Sequence, residues 1–337
     1  FYGGKYSGGL ALKGLEAADP ERFEFFYLRT KEELYDLRSD PDALVNLAGD
    51  KVAEDTLRSM RGLMLEQLTI NADPYLDDFK AFLEGAGQAH KNEPVMSMSF
   101  ENIEPGSPAE QLLQHEKLSL APGAGVDSSA GLRARYVGYH RGSERIVKHL
   151  PLPAPGSEFS LNYDVLFDED FQFVRGGKLL GLGPRKHITG GRAIIPEGWS
   201  TRIMFKDGNG IKLYTYHQDM PGKYGDRGVV QKPFRVEKGR FYAVTLHVRV
   251  NDPPEAANGF SRLYVDGELI EQHENLRLRG ADGEATLINK FMFSSFHGGH
   301  EPDWAPRDAD GNYKTVYVTF DNISVYEGEK IRPWPGG

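Results

Sequence analysis

From Arg133 onward the chain repeats one pattern, in which short runs of alternating apolar and polar residues are each closed off by a turn. The runs are Leu161–Leu166, Ser200–Phe205, Lys212–His217, Tyr242–Val250, Ser261–Val265, Lys290–Phe296 and Tyr317–Tyr326. Alternate residues of a strand share a face. Strands of this length with no helical interlude predict a mainly β unit, two sheets packed as a jelly-roll sandwich. Asp207-Gly208-Asn209-Gly210 and Asp266-Gly267 mark hairpins, because residues that tolerate positive φ suit the primed turns. The 39 glycines and 20 prolines fit a turn-rich β chain.

The N-terminal part has a different texture. Ala53–Leu68 carries Leu57, Met60, Leu63 (or Met64) and Leu68 at helical spacing, and Asp77–Leu83 predicts another helical turn or two. Phe23–Leu28 and Glu33–Leu37 read as short strands, making residues 1–94 a small α+β accessory unit. Gly, Pro, Ser and Ala are frequent over 84–130, with breakers at Pro105-Gly106-Ser107-Pro108 and Ala121-Pro122-Gly123-Ala124-Gly125. The boundary is set near residue 95, so that 95–337 forms the sandwich domain.

A net charge of −9 argues against nucleic acid or an anionic membrane as the main partner, but leaves room for a local basic cleft that holds an anionic substrate. The chain has no cysteine, which excludes disulfides, zinc–thiolate sites and thiol nucleophiles. No apolar run reaches the length of a membrane span. The sequence opens at Phe1 without a methionine or a signal-peptide pattern, so the natural start is expected further upstream.

Face by face, Ser200, Arg202 and Met204 point one way on their strand, and Tyr214, Tyr216 and Gln218 share a face of the next. If the hairpin register aligns them, an arginine, a serine and two tyrosines converge on one surface. On 242–251, Val244, Leu246, Val248 and Val250 suit the core, while Thr245, His247, Arg249 and Asn251 form a polar face that is expected to line a cleft. Such an inventory suits β-elimination at a uronate. The C5 proton becomes acidic once a cation neutralises the carboxylate, and a tyrosine near a cation can take that proton and return one to the C4 oxygen. A tyrosine pair at alternate positions is also what cross-strand packing produces.

Three separated stretches resemble the alginate and glucuronan lyases of polysaccharide lyase family 14. Gly176-Gly177-Lys178-Leu179-Leu180-Gly181-Leu182 is similar to that family's GGKLPGL. Gly198-Trp199-Ser200-Thr201-Arg202-Ile203-Met204-Phe205 followed by Leu213-Tyr214-Thr215-Tyr216 is similar to its GWSxRxMW and Tyr-x-Tyr strands. Phe293–Gly299, Trp304-Ala305-Pro306 and Phe320-Asp321-Asn322 follow its FSTFFGG, WAP and FDN wording. The resemblance implies a jelly roll with a substrate groove on one sheet and cleavage of a β-linked uronic-acid polymer such as glucuronan, polymannuronate or an ulvan-like polymer. It implies Lys178 as a residue important for catalysis, Arg202 facing the carboxylate, Ser200 positioning it, and Tyr214 or Tyr216 as the proton-transferring group. Thr245, His247, Arg249, Asn251 and His297 complete the set as candidate substrate-binding residues.

Departures are Leu180 in place of proline, His297 in place of a phenylalanine, and His247 and Ile194 in regions where family wording differs. Basic residues at Arg185, Lys186 and Arg192, with His187, form a loop that is either exposed or a gate to the groove. This chemistry requires no cofactor and no metal ligands are assigned, with a structural calcium left open. The protein is expected to be bacterial and secreted or periplasmic.

Ahead of this domain, Glu33-Leu34-Tyr35-Asp36-Leu37-Arg38-Ser39-Asp40-Pro41 and Asn46-Leu47-Ala48 resemble the C-terminal tail of sulfatases, without any recognisable sulfatase nucleophile. The alternative reading is therefore a non-catalytic carbohydrate-binding module appended to a sulfatase. A hydrolase is disfavoured by the lack of a paired-carboxylate signature.

Overall fold

The structure is a computed structural model that describes residues 33–71, 73, 76, 79–80, 82–83 and 93–334. The chain divides into two compact units, residues 1–88 and 89–337. In the first, helix α1 (Glu54–Ile70) lies close to the predicted span. Asp50 caps the short 3-10 turn Lys51–Ala53 that leads into it by accepting a hydrogen bond from the Val52 N–H (2.9 Å), and Glu54 and Asp55 place negative charge in the first turn of the helix. Of its predicted apolar stripe, Leu57 is buried while Met60, Leu63 and Met64 are exposed among the described residues.

The expected strand Glu33–Leu37 does not form. The Asp36 carboxylate accepts from the Arg38 N–H (3.1 Å) and the Ser39 hydroxyl (2.9 Å), closing a turn that ends the extended run. Asn46 fixes the neighbouring backbone by accepting from both Leu34 N–H (2.9 Å) and Ala48 N–H (3.0 Å). The other expected strand, Phe23–Leu28, lies outside the described residues.

The second unit is a β-sandwich. Its 10-stranded sheet runs in the order β11 (Val229–Val230), β14 (Glu268–Leu276), β13 (Gly259–Val265), β12 (Phe241–Arg249), β6 (Glu158–Phe167), β16 (Thr315–Glu327), β3 (Gly131–Tyr139) and β2 (Leu118–Ala121). Here β1 (Met96–Met98) also pairs with β16, and β4 (Gly142–Ser143) with β3. The 6-stranded sheet runs β10 (Gly210–Tyr216), β9 (Gly198–Lys206), β7 (Gly177–Gly183), β15 (Ile288–His297) and β5 (Ile146–Gly156), with β8 (Lys186–His187) parallel to β9. Short helix α2 (Pro108–Leu113) is capped by the Ser107 hydroxyl.

Alternation sorts side chains between the layers. Leu161, Tyr163, Val165 and Phe167 of β6 and Val244, Leu246 and Val248 of β12 meet Ile203, Phe205, Phe291 and Phe293 of the facing sheet in one core. Strand β5 holds Pro151, Pro153 and Pro155 and sits at a sheet edge, where missing N–H groups break no ladder. Both predicted hairpins form: Gly208 (φ 67°) and Asn209 (φ 61°) turn β9 into β10, and Asp266 (φ 50°) and Gly267 (φ 84°) turn β13 into β14.

Candidate active site

Strand β9 divides its residues between two environments. Trp199, Ile203 and Phe205 enter the core, whereas Met204 packs on the opposite face with Ile188, Tyr214 and Tyr216. In the β9–β10 register Tyr214 lies opposite Arg202 and Tyr216 opposite Ser200, so the two sets share the outer face of the six-stranded sheet. Above them opens a groove of about 720 Å³. Its basic lining is Arg145, Arg175, Lys178, Arg192, Arg202, Lys206 and Lys212, against Glu301 as the acidic lining residue. The charge of a protein that is −9 overall is thus locally reversed.

Lys178 and Arg202 reach the groove because glycines leave them space. A Cβ at Gly298 would lie 2.4 Å from Lys178 Nζ, and one at Gly181 would lie 2.4 Å from Arg202 Cγ. Three cations surround one phenol ring: the Tyr214 centroid is 5.2 Å from Lys178 Nζ, 5.5 Å from Arg202 Cζ and 5.9 Å from Lys212 Nζ.

The electrostatics follow from burial and from this crowding. Burial, reinforced by Arg202, Lys212 and Arg145, brings the Lys178 pKa down to about 7. Tyr214 is shifted the other way, above the ordinary tyrosine value, by burial and by its hydrogen bond to Tyr216 (3.2 Å between the hydroxyls). Arg202 is 3% exposed, with Nη1 3.4 Å from Ser294 Oγ and a buried Nε that has no partner. Among the described residues no carboxylate pairs with it. A buried guanidinium without a counter-charge is costly, and an anion in the groove would relieve it.

Ser200 and Tyr216 are fully buried beneath the floor. The Ser200 hydroxyl donates to the Ile188 carbonyl, and the Tyr216 hydroxyl accepts from the Gly191 N–H (3.0 Å). They hold the 188–191 loop against the sheet, a location that gives them no face toward the groove. From that loop region Thr189, Gly190 and Arg192 line the groove. His187 instead packs edge-on against His149 (4.6 Å), and Lys186 is exposed.

The remaining candidates are not at the groove. Strand β12 belongs to the 10-stranded sheet, and its polar face is the outer face of that sheet. There Thr245 donates to Asn162 Oδ1 and accepts from Arg332 N–H (3.2 Å), and His247 meets Glu158 (2.8 Å). The Arg249 guanidinium lies over Phe260 (4.6 Å). Asn251 donates to the carbonyls of Pro254 (2.9 Å) and Arg279 (3.0 Å). His297 faces the core: it stacks on Phe171 (5.2 Å) and its Nε2 bonds the Gln172 carbonyl (2.7 Å). Burial lowers its pKa to about 4, so it is a neutral packing residue. Its neighbour Phe296 takes the groove position.

Several lining residues escape the sequence reading. Lys212 has the same parity as Tyr214 on β10, so the alternation contains the signal for it. Arg145, Arg175 and Trp304 come from connections that carry no periodic signal, with Arg175 held over the Trp304 ring (5.4 Å) and paired with Asp303 (2.6 Å).

Comparison with known proteins agrees with this fold. The structure is similar to that of the alginate lyase Aly36B, at 22% identity and a TM-score of 0.56, over 71% of this chain and 98% of that one. It is also similar to a marine alginate lyase from Aplysia kurodai, at 21% identity and a TM-score of 0.50, over 70% and 99% of the two chains. The alginate lyase vAL-1 from a Chlorella virus gives 20% identity and a TM-score of 0.50, over 63% and 89%. No curated protein matches the sequence. The family model for polysaccharide lyase 14 matches residues 149–320, half of the chain and the part that supplies most of the groove, and the chain belongs to that family.

Proposed function

We propose that the protein cleaves a β-linked uronic-acid polymer, of the glucuronan, polymannuronate or ulvan-like kind, by β-elimination in the groove above Arg202. The observation that carries this reading is the pairing of a buried, uncompensated Arg202 with a Lys178 whose pKa is about 7. The alginate lyase Aly36B, similar in structure, is known with an alginate trisaccharide and a tetrasaccharide bound, which supports an anionic polysaccharide as substrate.

In the reaction we assign, Arg202 neutralises the uronate carboxylate and so stabilises the charge that develops when C5 loses its proton. Lys178, in its neutral amine form, takes that proton. The C4–O bond then breaks, a C4–C5 double bond forms, and Tyr214 gives its hydroxyl proton to the departing oxygen. In glucuronate and mannuronate the C5 hydrogen and C4 oxygen lie on the same side of the ring. A base and an acid that rise from one face of one sheet suit that geometry. The assignment reverses the expectation that a tyrosine is the base, because a phenol whose pKa is raised holds its proton. Ser200 and Tyr216 act as positioning residues under the floor. Incubation with uronic polymers, read by the ultraviolet absorbance of the unsaturated product, tests the reading. A flat trace on every polymer would sink it.

A further inference from the structure

At the C-terminal end of β10, three side chains that are not themselves part of the groove lining converge. His217 Nε2 lies 3.2 Å from each carboxylate oxygen of Asp226, and His273 Nδ1 lies 3.8 Å from Asp226 Oδ1. One donor atom from each of the three falls within 4.8 Å of the others. The imidazoles stand edge to face, 5.2 Å apart with an interplanar angle of 89°. A tetrahedral zinc ion with bonds of about 2.0–2.2 Å holds its ligand atoms about 3.3–3.6 Å apart, which brackets, within small side-chain adjustments, the 3.2 and 3.8 Å separations on Asp226.

One further observation points to a ligand. His273 Nδ1, the ring nitrogen that faces Asp226, is buried without a hydrogen-bond partner. A buried ring nitrogen with nothing to bond is unfavourable, and a metal would satisfy the one on His273. Arg227, next in sequence to Asp226, is turned away to Glu271 (3.0 Å).

We propose that His217, Asp226 and His273 bind a divalent metal of the zinc class, with water in the fourth position. Two imidazoles and one carboxylate favour zinc, cobalt, nickel or copper over calcium or magnesium, which prefer all-oxygen sets. The role is structural. His217 follows β10 and Asp226 is bridged to Thr215 of β10 through two backbone hydrogen bonds of 3.0 Å, whereas His273 belongs to β14 of the other sheet. The metal therefore ties β10, at the edge of one sheet, to β14 of the other and closes the 218–225 loop, whose Tyr224 and Gly225 line the groove.

The test uses the full chain, stripped with a chelator and dialysed, then titrated with zinc chloride by calorimetry and with cobalt(II) by visible absorption. The expected result is one zinc per chain, a cobalt spectrum typical of low coordination number, and a higher melting temperature with zinc. His273→Ala and Asp226→Asn should each weaken binding by at least the roughly 10–100-fold that disturbing a residue supporting a metal ligand costs. His273→Gln, which keeps the volume, serves if the alanine variant does not fold. Absence of stoichiometric zinc binding, or a His273 variant that binds as tightly as the parent, overturns the proposal. Either outcome is independent of whether the groove cleaves a uronan.

Discussion

Lys178 Nζ stands 5.2 Å from the centroid of the Tyr214 ring, although the two residues come from strands separated by β9. Their pKa values move in opposite senses, the lysine down to about 7 and the tyrosine up, with burial the first cause of both. Near neutral pH the pair can therefore hold a free amine beside a protonated phenol. Those are the base and acid that a same-side elimination needs.

Replacing Lys178 by alanine is predicted to lower kcat by about 10³-fold while polymer binding changes little, as expected for loss of a proton-transfer group. Lys178→Arg should not recover activity, because a guanidinium stays charged. Single-turnover kinetics and a binding titration on the same preparations separate the two effects. Normal turnover in the alanine variant would remove Lys178 from the chemistry.

The pH dependence follows from the same groups. As base, Lys178 must be unprotonated, so kcat/KM should rise as pH passes about 7 and level off above it. As acid, Tyr214 must keep its proton, which places any falling limb above the ordinary tyrosine range of about 10. A rate that falls between pH 6 and 8 contradicts both roles.

Stability carries a matching signature. The Lys178 pKa is about 7 in the folded chain and about 10.4 when unfolded. Below 7 the lysine is charged in both states, so the cost of burying it is fully present. Between the two values the unfolded chain binds more protons, so the cost fades as pH rises. Lys178→Met should therefore raise the melting temperature most at pH 6, with the gain shrinking toward pH 10. A gain independent of pH would mean that Lys178 has the same pKa in the folded and the unfolded chain.

The two tyrosines should separate. Tyr214→Phe is predicted to cost about 10²–10³-fold in kcat through loss of the acid. Tyr216→Phe, which removes a buried hydroxyl bonded to Gly191 N–H, should act mainly through KM as the 188–191 loop loosens. Equal losses in kcat would place both phenols in the chemistry.

Arg202→Ala is predicted to lower kcat/KM by about 10²–10³-fold, with the loss spread over KM and kcat. On the other sheet, Arg249→Ala and His247→Gln should leave kcat/KM within about twofold, as for changes remote from the reacting groups. A large loss from either would return β12 to the substrate path.

What the sequence makes legible, and what it does not, divides along physical lines. Alternation identifies the faces of β9, β10 and β12, because period two is local. The same rule sets Arg202 with Tyr214 and sets Thr245 with His247, yet it is silent about which sheet a strand joins. That depends on pairing between distant segments, so β12 goes to the sheet away from the groove, where the Arg332 N–H bonds Thr245. Lys178 is invisible to periodicity, since a lysine after two glycines reads as a turn. Only the resemblance points to it, and only the fold shows that Gly298 makes room for its ammonium. His217, Asp226 and His273 have no spacing that suggests a common site, because the bridge of Asp226 to Thr215 and the meeting of β10 with β14 of the other sheet bring them together.

The most direct test of the account is ultraviolet absorbance during incubation of the parent protein and its Lys178→Ala variant with glucuronan, polymannuronate, polyguluronate and ulvan. The account predicts a rising unsaturated-uronate signal from the parent on at least one polymer, and almost none from the variant although it still binds that polymer. A parent that binds a polymer but never raises the signal would contradict it and identify a carbohydrate-binding module. So would a variant as active as the parent, by showing that elimination does not run through Lys178.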